Sequence, residues 1–378
     1  MARNKEGGLH LCRYPTNAAG ENSGAMESRE IDTGDSKMKR SSVYLQSPFP
    51  YFGGKSKIAP LVWDALGQPR HYIEPFFGSG AVLLMRPNYD ATAHTETICD
   101  KDGFVCNVWR ALTFAPDEVA KWCDWPVNHA DLIARRKALL RNEETLLQNL
   151  IDDEKYCDPI MAGYWIWGAS CWIGGGLTRI NARPHLGPGM GVHKIGRIPY
   201  IGTTGMGVHR IGQIPHIGHA GKGICKAHNI NIYKWFNELS ERLRYVRVVC
   251  GDWTRVCGGN WQNSMGDVGI FFDPPYGIEN RTDVYSKDSY DVAHKVREWC
   301  IERGAISTYR IVLCGYEEHE ELLKYGWTSQ KWKAPGGYAN ISVNHTQGKE
   351  NSHREVIYFS PFCSRERERV LNLFEKEI

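Results

Sequence analysis

The sequence predicts an α/β protein built on a central, mostly parallel sheet. Three observations carry that prediction. His71-Tyr72-Ile73-Glu74 reads as a short strand that runs into the turn Gly78-Ser79-Gly80 and then the apolar helix start Ala81-Val82-Leu83-Leu84. A second strand, Thr97-Ile98-Cys99, ends on Asp100, about 20 residues after the glycines, the strand–helix–strand rhythm of parallel sheets. Finally, Ile270-Phe271-Phe272 stops at Asp273-Pro274-Pro275-Tyr276. Proline has no N–H for a ladder and a fixed φ, so the chain must leave the sheet at Asp273, at the carboxyl end of a strand, where open α/β sheets place their ligands.

Length and composition bound the rest. At 378 residues the chain has room for two domains and tails. Its 42% hydrophobic and 24% charged residues are those of a globular protein. It has neither an apolar run long enough to span a membrane nor a signal-peptide start, so a cytoplasmic protein without membrane contact is expected. The 12 Cys contain no CxxC pair, which argues for reduced, structural thiols and no metal centre.

Taken in order, residues 1–45 are polar and glycine-rich without an apolar period and predict a disordered tail. Tyr51-Phe52-Gly53-Gly54-Lys55 then opens a helix with Ile58, Leu61, Val62, Ala65 and Leu66 on one side. A glycine pair at a helix start lets backbone approach a ligand and favours negative charge, although a plain loop-to-helix entry reads the same way. In the turn after the first strand, a dinucleotide loop would carry a third glycine where Leu83 stands, which argues against a pyrophosphate cofactor. Asp100, at its strand end, is suited to accept from ribose hydroxyls.

Residues 114 to about 158 predict charged helices, with Leu132, Leu139, Leu140, Leu146, Leu147 and Leu150 as an apolar face. From Pro159 to Asn237 there is no Asp or Glu, while eight Lys and Arg contribute +8; with +3 for the whole chain, the remainder is 3 − 8 = −5. A body of negative charge with one acid-free basic segment suits a polyanion partner. Within it, Gly189 to Gly202 returns as Gly205 to Gly218. Its glycine content predicts an extended basic arm that places Lys194 or Arg210 and His193 or His209 against phosphates, with Arg179, Arg183 and Arg197 as further candidate DNA contacts of the segment. A solvated insertion is the plainer alternative. After Ile230 come a helix with Trp235, Phe236, Leu239 and Leu243, and a strand Val246 to Cys250 that ends at Gly251-Asp252. Beyond Asp273, a polar loop holding Arg281, a helix Val292 to Arg303, a strand Tyr309 to Tyr316, a hairpin Lys331 to Asn340 with Lys331 and Lys333, a last strand Arg354 to Pro361 and a charged tail at 364–378 complete the chain.

These motifs, in this order, resemble those of the Dam-like (alpha-class) N6-adenine DNA methyltransferases, over roughly 48–113 and 230–361. The resemblance implies a Rossmann-like methyltransferase fold, with a catalytic domain at 46–113 and 230–363 and a target-recognition domain inserted at 114–229. It implies S-adenosylmethionine as cofactor, held by Tyr51, Gly53, Lys55, Glu74, Phe76, Gly78, Gly80, Asp100 and Asp252, with Tyr51 and Lys55 beside its methionine part. Asp273 and the carbonyl of Pro274 would hold an amino group, with Pro275 shaping the turn and Tyr276 stacking on a flipped base. Duplex DNA is the implied partner, contacted by Arg281, Lys331, Lys333 and the insert. A restriction-modification role beside a cognate endonuclease, a prophage origin, and a monomer or homodimer all accord with the resemblance. Two alternatives stand beside adenine: N4-cytosine methylation, which poses the same amine chemistry, and an inactive DNA-binding decoy.

Overall fold

The computed structural model describes residues 45–49, 51, 54–171, 177–178, 231–275, 291–332 and 355–364. Among them, seven strands form one sheet: β1 (His71–Glu74), β2 (Thr95–Asp100), β3 (Val246–Cys250), β4 (Val268–Phe272), β5 (Tyr309–Gly315), β6 (Thr328–Lys331) and β7 (Val356–Phe359). Their order is β3-β2-β1-β4-β5-β7-β6. All pairs are parallel except those of β7, which runs antiparallel to both β5 and β6. The fold is Rossmann-like, as the sequence predicts.

Successive residues of β4 feed opposite faces. Phe271 packs with Tyr72, Ile98 and Val312 on one side, while Ile270 and Phe272 pack with Ile73, Ile311 and Leu313 on the other. All five residues of β4 are buried, as expected of a strand covered on both faces. One face is covered by α1 (Ala59–Leu66), α3 (Gly103–Phe114), α4 (Pro116–Cys123), α5 (His129–Asp152), α6 (Pro159–Cys171) and α7 (Ile232–Leu243), with the short α2 (Ala81–Leu84) among them. The other is covered by α8 (Thr254–Cys257), α9 (Val292–Gly304) and a 3₁₀ segment, Glu317–Tyr325.

Local chemistry sets the helix starts. Asp102 and Asn231 accept from main-chain N–H groups at the first turns of α3 and α7, supplying partners that a helix start lacks. In α5 the buried leucines are Leu132, Leu139, Leu146 and Leu150, while Leu140 and Leu147 are half-buried. α6 is uncharged and buries Trp165, Ile166 and Trp167, so the acid-free stretch begins in a core helix. The helices of 116–171 share one hydrophobic cluster with α1 and α3, without a break in the core at residue 113.

A buried ion cluster ties these layers together. Glu96 of β2 accepts from Arg86 (3.1 Å) and from Arg242 of α7 (2.6 Å), and both Glu96 and Arg86 are fully buried as side chains. The ten cysteines among the described residues are free. No described helix is long and apolar enough to cross a membrane, and no described cluster of His, Cys, Asp and Glu could hold a metal ion.

Candidate active site

In this strand order the chain steps outward from β1 to β3 on one side and from β4 on the other. The crevice therefore lies at the carboxyl ends of β1 and β4, where the order reverses. A pocket of about 880 Å³, open mouth included, occupies that place. Each of the four strands on which it rests delivers one segment to its wall: Glu74 to Val82 after β1, Asp100 to Asp102 after β2, Gly251 to Trp253 after β3, and Asp273 with Pro275 after β4. Tyr51, Gly54 and Lys55 close it from the N-terminal side.

The glycine turn shows why glycine stands there. Gly78 has φ +48°, and a Cβ on it would come within 2.6 Å of the Tyr51 ring. Gly80 has φ +65° and would collide with the Phe77 ring at 2.5 Å. Both the left-handed backbone and the aromatic contacts exclude a side chain. The turn is pinned on two sides, by the Trp109 indole N–H on the Gly78 carbonyl (2.9 Å) and by the Gly78 N–H on the Asp100 carboxylate (2.9 Å).

The acids differ in state. Asp100 also accepts from the Asp102 N–H at 2.9 Å. Burial, with the charge of Asp102 nearby, pushes its pKa up to about 7 against those two stabilising hydrogen bonds. Glu74, which lines the pocket, accepts from the Tyr72 hydroxyl at 2.8 Å, and burial raises its pKa well above the usual carboxylate value. Asp252 lies two residues before α8, its Oδ1 accepting from the Thr254 N–H (3.1 Å) and hydroxyl (2.7 Å).

Lys55 lines the pocket and makes a contact that the sequence did not indicate. Its side chain is 5% exposed, and its ammonium lies 3.1 Å from Asp273 Oδ1 and 3.7 Å from Glu355 Oε2. The lysine therefore ties the first loop to the acid that ends β4.

Of the residues singled out from the sequence, Tyr51, Lys55, Glu74, Phe76, Gly78, Asp100, Asp252, Asp273 and Pro275 share this one wall. Gly80 shapes the turn beneath it, and Pro274 is buried beside Asp273. Lys331 is exposed at the end of β6 and is not part of the wall. Gly53, Tyr276, Arg179, Arg183, Lys194, Arg197, Arg210, Arg281 and Lys333 lie outside the described residues, as do the repeat and both tails.

Sequence reasoning assigned no role to Trp253 or Glu355. Trp253 lines the pocket next to Asp252 and meets Phe272 and Trp299 edge-on. Its position directly after a strand-end acid was the available signal. Glu355, directly before the last strand, carried only the hint of an acid adjoining four apolar residues.

The donor set suits a nucleoside-bearing cation. Carboxylates at two strand ends can accept from sugar and amino groups, and Phe76 and Trp253 offer apolar surface. The side-chain-free turn at Gly78 admits a flat ligand, and the acids favour positive charge. Compared with known families, residues 51–159 match the D12 class N6 adenine-specific DNA methyltransferases, a family of enzymes whose activity is methylation of adenine in DNA. No curated protein matches the chain.

Proposed function

Because residues 51–159 carry a D12 class N6 adenine-specific DNA methyltransferase domain, we propose that this enzyme moves a methyl group from S-adenosylmethionine to the N6 amino group of an adenine flipped out of duplex DNA. One observation carries the reading: Gly78, Asp100, Asp252 and Asp273, separated by up to 195 residues in sequence, line a single pocket. Asp100 would accept from the ribose, Asp252 from the cofactor's adenine amino group, and Tyr51, Glu74, Phe76 and the glycine turn would enclose the remainder. When bound, the cofactor supplies an electrophilic methyl carbon.

The chain's own task is the nucleophile. An adenine amino nitrogen is weak because its lone pair is delocalised into the ring. Asp273 and the Pro274 carbonyl would accept its two N–H groups, leaving the lone pair free to meet the methyl carbon, while Tyr276 stacks on the base. Acceleration then comes from positioning and fixed charge rather than from a covalent intermediate. A base inside a duplex is out of reach of such a cleft, which is why flipping belongs to the reading. The cytosine alternative shares the amine chemistry, but the family match favours adenine.

The domain division remains part of this proposal: catalytic residues at 46–113 and 230–363, and a DNA-contacting insert at 114–229 whose helices α4 to α6 form its foot on the core. The enzyme would act in the cytoplasm, alone or beside an endonuclease partner. The test is incubation of the purified protein with duplex DNA and methyl-labelled S-adenosylmethionine, then nucleoside digestion and mass spectrometry. N6-methyldeoxyadenosine is expected. Label in N4-methyldeoxycytidine instead would move the assignment to cytosine, and DNA retention without label would make the protein a binding decoy.

A further inference from the structure

Behind the pocket wall, one ammonium serves two acids. Lys55 is fixed by its own backbone, whose carbonyl accepts from the N–H groups of Ile58 (3.1 Å) and Ala59 (3.0 Å) at the entry to α1. Its side chain reaches Asp273 Oδ1 at 3.1 Å on the pocket side and Glu355 Oε2 at 3.7 Å on the other. Glu355 is no loop residue swinging in from solvent. It is 9% exposed, immediately precedes β7, and its carbonyl accepts from the Trp332 N–H at 3.1 Å. Asp273 and Lys55 belong to the pocket wall and Glu355 does not.

We propose that Glu355 is a positioning residue for methyl transfer: by holding Lys55 from the side away from the pocket, it divides the ammonium between two carboxylates and keeps Asp273 a strong hydrogen-bond acceptor. This rests on reading Asp273 as the acceptor of the target amine.

The physical reason is competition. A carboxylate clamped by a whole ammonium has much of its lone-pair density committed, and its affinity for another proton donor falls. A second carboxylate on the same ammonium draws it away and adds like-charge repulsion, so both acids gain affinity for N–H donors. Glu355 responds in that sense: burial and the charge of Asp273 raise its pKa against the pull of Lys55. Among the described groups near the cluster, burial raises the pKa of Glu74 on β1 and of the Cys314 thiol on β5 well above their usual values, and Trp332 is uncharged.

The experiment is the pH dependence of single-turnover methylation for the wild type, Glu355→Gln, Glu355→Asp and Asp273→Ala. In Glu355→Gln, Lys55 is expected to pair more strongly with Asp273. The plateau rate is expected to fall about tenfold and the acidic limb to move down by about one pH unit, with the cofactor KM changed less than twofold. Glu355→Asp keeps the charge and should keep the limb within a few tenths of a unit of wild type. A limb that stays put in Glu355→Gln, or that moves equally in both variants, overturns the proposal. Should Glu355→Gln fail to fold, Glu355→Ala, which also removes the charge, takes its place: a limb about one pH unit lower than that of Glu355→Asp supports the proposal, and an unmoved limb rejects it. Asp273→Ala separates the layers. If it still methylates, the reading of Asp273 falls; if it is inactive while the Glu355→Gln limb is unmoved, only the role of Glu355 falls.

Discussion

Asp273 and Asp100 show how a carboxylate's surroundings assign its work. Asp273 lies 3.1 Å from an ammonium, an environment that favours the carboxylate form. Asp273→Ala should lower methyl transfer by about 10³-fold or more, as loss of a preorganised polar partner does, while salt-sensitive DNA binding persists in a filter or anisotropy assay. A mutant with wild-type turnover would remove Asp273 from the chemistry. Asp100 is different, because burial pushes its pKa up to about 7 despite two N–H donors. Ribose hydroxyls bind better to the ionised form. Cofactor affinity should therefore rise between pH 6 and 8, by at most about tenfold per unit. Asp100→Asn should bind more weakly and lose that pH dependence in titration calorimetry. The motif around Asp273 was legible from residue types alone, since an acid followed by two prolines dictates where a strand must end. The lysine contact was not, because 218 positions separate Lys55 from Asp273 and only packing brings them together.

At the scale of elements, the 3₁₀ segment Glu317–Tyr325 carries a buried titratable group. The His319 ring packs against Gly315 at the end of β5 and edge-on to Tyr358 of β7, and burial lowers its pKa to about 3. A histidine kept neutral in the fold but titrating near 6.5 when unfolded stabilises fully above that value. As pH falls from 6.5 toward 3 the unfolded chain takes up the proton first, and stability is lost at up to about 1.4 kcal/mol per pH unit. His319→Leu should flatten the melting temperature between pH 7 and 5 relative to wild type; parallel curves would show that His319 carries none of the slope. The strands were readable as elements because buried runs of Val, Ile and Phe alternate with turn residues. The place of β7 between β5 and β6, antiparallel to both, was not: nothing in Val356–Phe359 encodes which neighbours it takes. Likewise α6 hid inside an acid-free stretch, since a helix apolar all round has no periodic face to reveal it.

Over the whole molecule, charge is distributed unevenly: +8 between residues 159 and 237 against −5 elsewhere. An acidic body with one basic segment orients a polyanion toward that segment. If Lys194 and Arg210 each neutralise a phosphate, the double substitution to Gln should reduce the slope of log K against log salt by about 2, without altering cofactor affinity. An unchanged slope would assign the basic segment to something other than DNA contact.

The sequence by itself determined the α/β class, the strand ends at Asp100, Asp252 and Asp273, the glycine turn and the charge asymmetry. Each of these follows from constraints that act over a few residues: proline's missing N–H, glycine's freedom at positive φ, apolar period and net charge. The tertiary structure alone decided that these ends converge on one pocket, that burial raises the pKa of Glu74 and brings that of Asp100 to about 7, and that Lys55 lies between Asp273 and Glu355. Those depend on burial and on distances between segments far apart in the chain, which no local pattern of residue types specifies.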